Sequence, residues 1–161
     1  MPRDPLTRLR LAVPADEAFL RQLYKTTRAA EFVAAGLPAA ALEGLLDQQY
    51  RAQTVGYGMQ FPDACSLIVE HRDAPAGRLL LLCADHRWHI VDIALLPAVR
   101  GQGIGTDLIE AIARAAAARG ARELTLAVLS GSAAARRLYA RLGFSETGGD
   151  VHLSMVRRLG G

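Results

Sequence analysis

The sequence predicts one α/β domain spanning residues 1–161, and three observations carry that expectation. Apolar strand-like runs alternate with segments of helical period. Glycine and proline punctuate the junctions between them. No repeat, low-complexity linker or shift of composition divides the chain, and 51% hydrophobic against 22% charged residues is enough material for one packed core.

The elements follow in order. Phe19, Leu20 and Leu23 recur at helical spacing after Pro14-Ala15-Asp16-Glu17, which predicts a helix to about Ala30 with Asp16 as a candidate cap. A second helix is expected from Leu37-Pro38 to about Ala52, with Leu42, Leu45, Leu46 and Tyr50 on one face. Gly56, Tyr57, Gly58 and Pro62 break the period, so residues 54–62 read as a loop. Ser66–Glu70 and Arg78–Cys83 are strands joined through the turn cluster Asp73–Gly77, the pattern of a hairpin. Trp88–Leu96 is a third strand, ended by Pro97. A glycine-rich turn, Arg100–Gly105, opens a helix that runs to Arg119, with Gly120 as its C-terminal cap. Glu123–Leu129 is a strand, Ser132–Leu142 a helix stopped by Gly143, and Val151–Val156 the last strand.

Charge and composition narrow the function. Lys plus Arg exceed Asp plus Glu by three, too small a surplus to argue for nucleic acid. Lys25 is the only lysine, so the cations are arginines, suited to phosphate and carboxylate. No run reaches the 18 or so uncharged apolar residues of a membrane helix, and Met1–Pro5 leads into no signal-type apolar core, so a cytoplasmic protein without a membrane partner is expected. Cys65 and Cys83 lack C-x-x-C spacing and fall in strand-like runs, which predicts reduced, buried thiols. His71, His86 and His152 show no ligand spacing, and no metal is expected.

The stretch from Ile90 to Gly105 is the most informative. A buried strand passes through a short loop into a glycine-rich helix start, where unpaired N–H groups and the helix dipole favour an anion. A dinucleotide fingerprint would need a third glycine, but Gly101 and Gly103 are followed by Thr106. The P-loop ending Gly-Lys-Ser/Thr is absent. A turn that serves packing alone could use the same residues. The pattern present, Arg100-x-x-Gly103-x-Gly105, is similar to the coenzyme A pyrophosphate motif of the GNAT N-acetyltransferases. Downstream, Ser132-x-x-Ala135-x-x-Leu138-Tyr139-x-x-x-Gly143-Phe144 resembles the later helix of the same superfamily, which usually carries Asn in place of Ser132. The two motifs and the strand order between them span about Ile90 to Val156.

The resemblance implies a GNAT-like domain with a mostly antiparallel, twisted central sheet and helices on both faces. It also implies acetyl-CoA as co-substrate and acetyl transfer to a primary amine of a small molecule or protein, by direct attack in a ternary complex. It places the coenzyme against Ile93, Ala94 and Leu95, the turn residues Arg100, Gly101, Gln102, Gly103, Ile104, Gly105 and Thr106, and Ser132. An exposed peptide N–H of Ile93–Leu95 would polarise the acetyl carbonyl. Tyr139 is the expected acid, since a phenol remains protonated at neutral pH and can donate to a leaving thiolate. A homodimer is a further expectation of the resemblance.

The base is less marked in the sequence. Asp92 interrupts an apolar run, where an unpaired carboxylate is costly, so it is either a paired structural group or a functional one, and as the latter it is the expected catalytic partner of Tyr139. His89, on the opposite face unless a bulge intervenes, and Glu70 are alternatives. Acceptor contacts are expected from Thr27, Arg28 and Glu31 on the first helix and from Gln49, Tyr50, Tyr57 and Gln60 beyond it, with Arg28 and Tyr57 foremost. Arg28 would suit an acceptor carboxylate. Arg136, Arg137 and Arg141 share a helix, as a solvated face or as contacts to coenzyme phosphates. Two readings compete with the enzyme: a coenzyme-binding domain that has lost the chemistry, and a nucleic-acid binder using the arginines.

Overall fold

The computed structural model describes residues 1–34 and 36–160, with all their side chains except those of 30–34. In chain order the elements are β1 (Thr7–Leu11), α1 (Glu17–Ala34), α2 (Ala39–Gln60), β2 (Cys65–His71), β3 (Ala74–Cys83), β4 (Arg87–Leu95), α3 (Ile104–Ala118), β5 (Glu123–Leu129), α4 (Ala133–Arg141), β6 (Ser145–Gly148) and β7 (His152–Arg158). The strands form one sheet in the order β1-β2-β3-β4-β5-β7-β6. Each neighbouring pair is antiparallel except β4 with β5, whose parallel pairing needs a crossover that α3 supplies. The mostly antiparallel sheet with helices on both faces is the architecture expected.

Alternation along the strands divides the core in two. Leu79, Leu81, Trp88, Ile90, Leu124, Leu126 and Met155 turn one face towards Ile109, Ile112, Ala113 and Ala116 of α3. A smaller cluster joins Val69 to Ile104 and Leu108 of the same helix. The other face meets α1 and α2, where Leu23, Leu46 and Tyr50 are buried. Lys25 of α1 holds Asp47 of α2 at 2.8 Å and also pairs with Glu43. Among the described residues, no helix is long and apolar enough to cross a membrane.

Several boundaries differ from the sequence reading, each for a physical reason. Most of the loop expected over 54–62 is the end of α2, because Tyr57 packs on Phe61 and Phe61 stacks on His89. That packing outweighs a glycine penalty of roughly 1 kcal/mol per residue. The β2–β3 turn lies at Arg72-Asp73, both with positive φ (53° and 66°), while Ala74–Gly77 belongs to β3. The edge strands β1 and β6 went unread. β1 mixes arginine with leucine, and β6 is four exposed residues. Cys65 and Cys83 are exposed rather than buried, since each stands at the end of its strand.

Candidate active site

The site begins with a defect in the pairing of β3 and β4. Leu80 lies opposite Asp92 and Leu81 opposite Ile90, so Val91 is a bulge. The extra residue brings Asp92 to the same face as His89, the α1–α2 side, where simple alternation would have separated them. Below the bulge β4 pairs with β5 for three residues only, Arg87↔Glu123, Trp88↔Leu124 and His89↔Thr125. Side chains clamp the last rung: His89 Nδ1 and Thr125 Oγ1 are 2.7 Å apart, and Thr125 Oγ1 also reaches the Trp88 carbonyl at 3.4 Å. Beyond it the strands part.

On its other side the upper half of β4 remains bonded to β3. The Leu96 N–H donates to the Ala76 carbonyl at 2.8 Å, so by antiparallel alternation the Leu95 N–H faces away from β3 and into the gap. The Leu95 carbonyl, which points the same way, accepts from Arg100 Nε at 3.0 Å. Gly77 makes this edge possible. A Cβ there would stand 2.5 Å from the Ala94 carbonyl oxygen and 2.7 Å from the Leu95 side chain.

Into the gap opens a cleft of about 410 Å³, between α3 and α4, lined by Thr27, Asp92, Ile93, Ala94, Leu95, Arg100, Gly105, Ile109, Leu138, Tyr139 and Leu142. A small cavity of about 60 Å³ lies on the α1–α2 side, lined by Leu20, Leu23, Tyr24, Thr27, Arg28, Gln53, Arg78, Asp92 and Ala94. Thr27, Asp92 and Ala94 border both. Asp92 therefore stands where two chambers meet.

Burial pushes the Asp92 carboxyl above the ordinary 3.8, and the cations Arg78 and Arg28 with the Ile93 amide offset only part of that. The Tyr139 phenol is raised by burial first and by the charge of Asp92 second, so it remains protonated at neutral pH. Its ring meets Phe144 edge-on at 5.7 Å, a contact that helps to hold the ring in place. His89 is lowered by burial and by Arg87, and is neutral at pH 7.

The turn into α3 has the backbone of an anion cradle. Gly101 and Gly103 have φ of 75° and 79°, which side chains resist, and open space surrounds both. Gly103 caps α3 without a side-chain bond, which leaves first-turn N–H groups uncovered. Gln102 folds back onto the Ala98 carbonyl at 3.1 Å, so it braces the loop. Asp107, one turn in, accepts the amides of Arg3 and Asp4 at 2.8 and 3.0 Å.

The structure thus brings together Asp92, Ile93, Ala94, Leu95, Arg100, Gly105 and Tyr139, with Arg28 in the adjoining cavity. Ser132 is the N-cap residue of α4, but its hydroxyl makes no capping bond and it does not line the cleft. Tyr57 lies under the Arg78 guanidinium at 5.9 Å rather than in either lining. Glu70 is engaged by Arg10 at 3.2 Å, two strands away from β4. Tyr50 gives its hydroxyl to Glu17 at 3.2 Å, and Arg136 is bound to Glu146 and to the Ser130 carbonyl. The side chain of Glu31 lies outside the described residues. Sequence reasoning missed Arg78, Gln53 and Tyr24. For Arg78 there was a signal: an arginine heading Leu79–Leu82, one strand from an aspartate set in another apolar run.

The profile of the acetyltransferase (GNAT) family matches residues 19–144. Among solved structures, PaiA N-acetyltransferase from Thermoplasma acidophilum, described in complex with coenzyme A, is similar in fold. It has a TM-score of 0.69 at 18% identity, over 94% of this chain and 98% of that one. An acetyltransferase from Thermus thermophilus gives 0.67 at 20% identity, over 95% and 97%. Nourseothricin acetyltransferase gives 0.64 at 20%, over 96% and 99%. A comparison with curated proteins finds no match.

Proposed function

This chain belongs to the GNAT acetyltransferase family, and from that premise we propose that it transfers acetyl from acetyl-coenzyme A to a primary amine of a small molecule or protein, by direct attack in a ternary complex. One observation carries the reading: a carboxyl with raised pKa, Asp92, and a protonated phenol, Tyr139, line a single cleft where β4 leaves β5.

The residues present fit the coenzyme. Open glycines and uncapped amides at residues 101–106 suit its diphosphate, and the unpaired edge of Ile93–Leu95 suits an amide-bearing arm. The PaiA relative is described with that ligand. Bound there, the coenzyme supplies a thioester whose carbonyl carbon is the electrophile. The Leu95 N–H, turned into the gap, is the donor for the carbonyl oxygen. Ser132, whose hydroxyl is not used in capping, is left for the arm.

Asp92 takes one proton from the acceptor ammonium and passes it to solvent, leaving the nitrogen lone pair to attack. Tyr139 gives its hydroxyl proton to the departing sulfur as the carbon–sulfur bond breaks. It regains the proton that nitrogen sheds on bonding to the acetyl carbon. Burial serves both groups: it makes Asp92 a stronger base than an exposed aspartate and keeps Tyr139 in its donor form.

The test is thiol release from acetyl-CoA across a panel of amines, with wild type and Tyr139→Phe. Wild type is expected to release thiol with at least one amine, and the variant to bind coenzyme but turn over little. Tight coenzyme binding with no thiol from any amine would mean a binding domain without chemistry. Absence of coenzyme binding at millimolar concentration would end the reading.

A further inference from the structure

Two residues that line the small cavity beyond Asp92 each carry a buried polar atom with nothing to bond. Arg78 Nε is buried and has no hydrogen-bond partner, and Gln53 Oε1 is in the same condition. Asp92, the one acidic side chain among the described lining residues, comes no nearer to Arg78 Nε than 4.0 Å, outside hydrogen-bond reach. The Arg78 side chain is only 12% exposed, so water does not stand in freely, and the Tyr57 ring covers the guanidinium carbon at 5.9 Å. A buried donor left unmade is costly, more so on a charged group. Here a residue with an orphan donor on a cation and a residue with an orphan acceptor line one cavity of about 60 Å³. At roughly 30 Å³ per water that is space for about two waters, or for one carboxylate whose neighbouring amine sits at the Asp92 border with the larger cleft.

Building on the acetyl-transfer reading, we propose that the acceptor is a free α-amino acid, its carboxylate held by Arg78 and its amine presented between Gln53 Oε1 and Asp92. A carboxylate satisfies Arg78 Nε with a charge-assisted bond. The amine then has one N–H for the Gln53 carbonyl and one proton for Asp92, and its lone pair points to the larger cleft that Asp92 also borders. Neutral monoamines would leave Arg78 unmade. Lysine side chains and peptide N-termini, which carry no carboxylate next to the amine, would do the same.

The experiment compares kcat/KM by thiol release for three forms of each acceptor: the α-amino acid, its primary amide and the decarboxylated amine. The amide has a less basic amine than the acid and the decarboxylated amine a more basic one, so a preference for the acid over both reports the carboxylate. The expected preference is on the order of tenfold to a hundredfold, the size of a charge-assisted hydrogen bond. In Arg78→Met it should collapse towards parity, and Arg78→Lys should restore part of it. Calorimetric titration of the amino acid into the protein saturated with coenzyme A reads the same contact without turnover. It also serves if Arg78→Met folds poorly, through Gln53→Leu, which should weaken binding of the amino acid. Equal kcat/KM for all three forms, or a preference for peptide N-termini, would overturn the proposal and leave acetyl transfer standing. No thiol from any amine would instead strike the acetyl-transfer reading, and the titration would still decide whether the cavity takes an amino acid.

Discussion

The two ends of the β4–β5 pair are made by the same strands and behave in opposite ways. At residues 87–89 the pair is closed: parallel rungs, the His89–Thr125 clamp, and an Arg87–Glu123 contact of 2.8 Å at the rim. At residues 92–95 it is open: no β5 partner, a raised carboxyl and a backbone edge facing a cleft. The closed end holds the strands in register so that the open end can leave its amides unbonded without fraying. One bulge at Val91 separates stability from chemistry.

Four measurements would break or sharpen this contrast. Tyr139→Phe removes one hydroxyl at the open end, and a fall in kcat of about 10²–10⁴-fold is expected. The melting temperature should barely move; a large drop in it would place Tyr139 in the closed end's territory. Leu124→Ala should do the reverse. Leu124 is fully buried beside the paired rungs, and a loss of about 2–5 kcal/mol is expected from denaturant unfolding. Its kcat, measured while folded, should remain near wild type.

Gly77→Ala tests whether β3 supports the open end. The added methyl meets the Ala94 carbonyl and Leu95, and a cost of about 1–3 kcal/mol is expected together with a loss of activity, because the displaced edge carries the Leu95 amide. Loss of stability alone would show that the edge needs no such support. The smallest effect is the pH dependence of the closed end. His89 titrates lower in the folded protein than the ordinary 6.5, so the fold binds fewer protons than the unfolded chain. Its stabilising share is complete above about 6.5 and fades as pH falls from there through the lowered value. A His89→Asn variant should lose that part of the acid sensitivity in unfolding curves between pH 7 and 5.

The closed end was largely legible in the sequence. The apolar-rich run Glu123–Leu129, bounded by Gly120 and Gly131, has the limits of β5, and the apolar face of α3 follows from Ile104, Leu108, Ile109 and Ile112. The glycine turn was legible because positive φ demands a residue type. At the open end Asp92, Tyr139 and, through the family resemblance, the Ile93–Leu95 edge were singled out, but the defect that arranges them was not legible. A bulge is a matter of pairing between separate strands, so nothing local to Val91 announces it, and with it went the placement of Asp92 on the same face as His89. Arg78 and Gln53 matter through what they fail to bond, which no spacing records. The Gly56–Gly58 stretch was misread because the Tyr57–Phe61–His89 aromatic contacts that hold it helical join residues far apart in the chain.

The unpartnered Leu95 amide offers a reporter that needs no turnover. In deuterated buffer its proton should be replaced far sooner than that of Leu124 or Trp88, which sit among the closed rungs. Any molecule that completes the missing ladder would slow the exchange at this one residue, so occupancy of the gap could be followed amide by amide before a single product is identified.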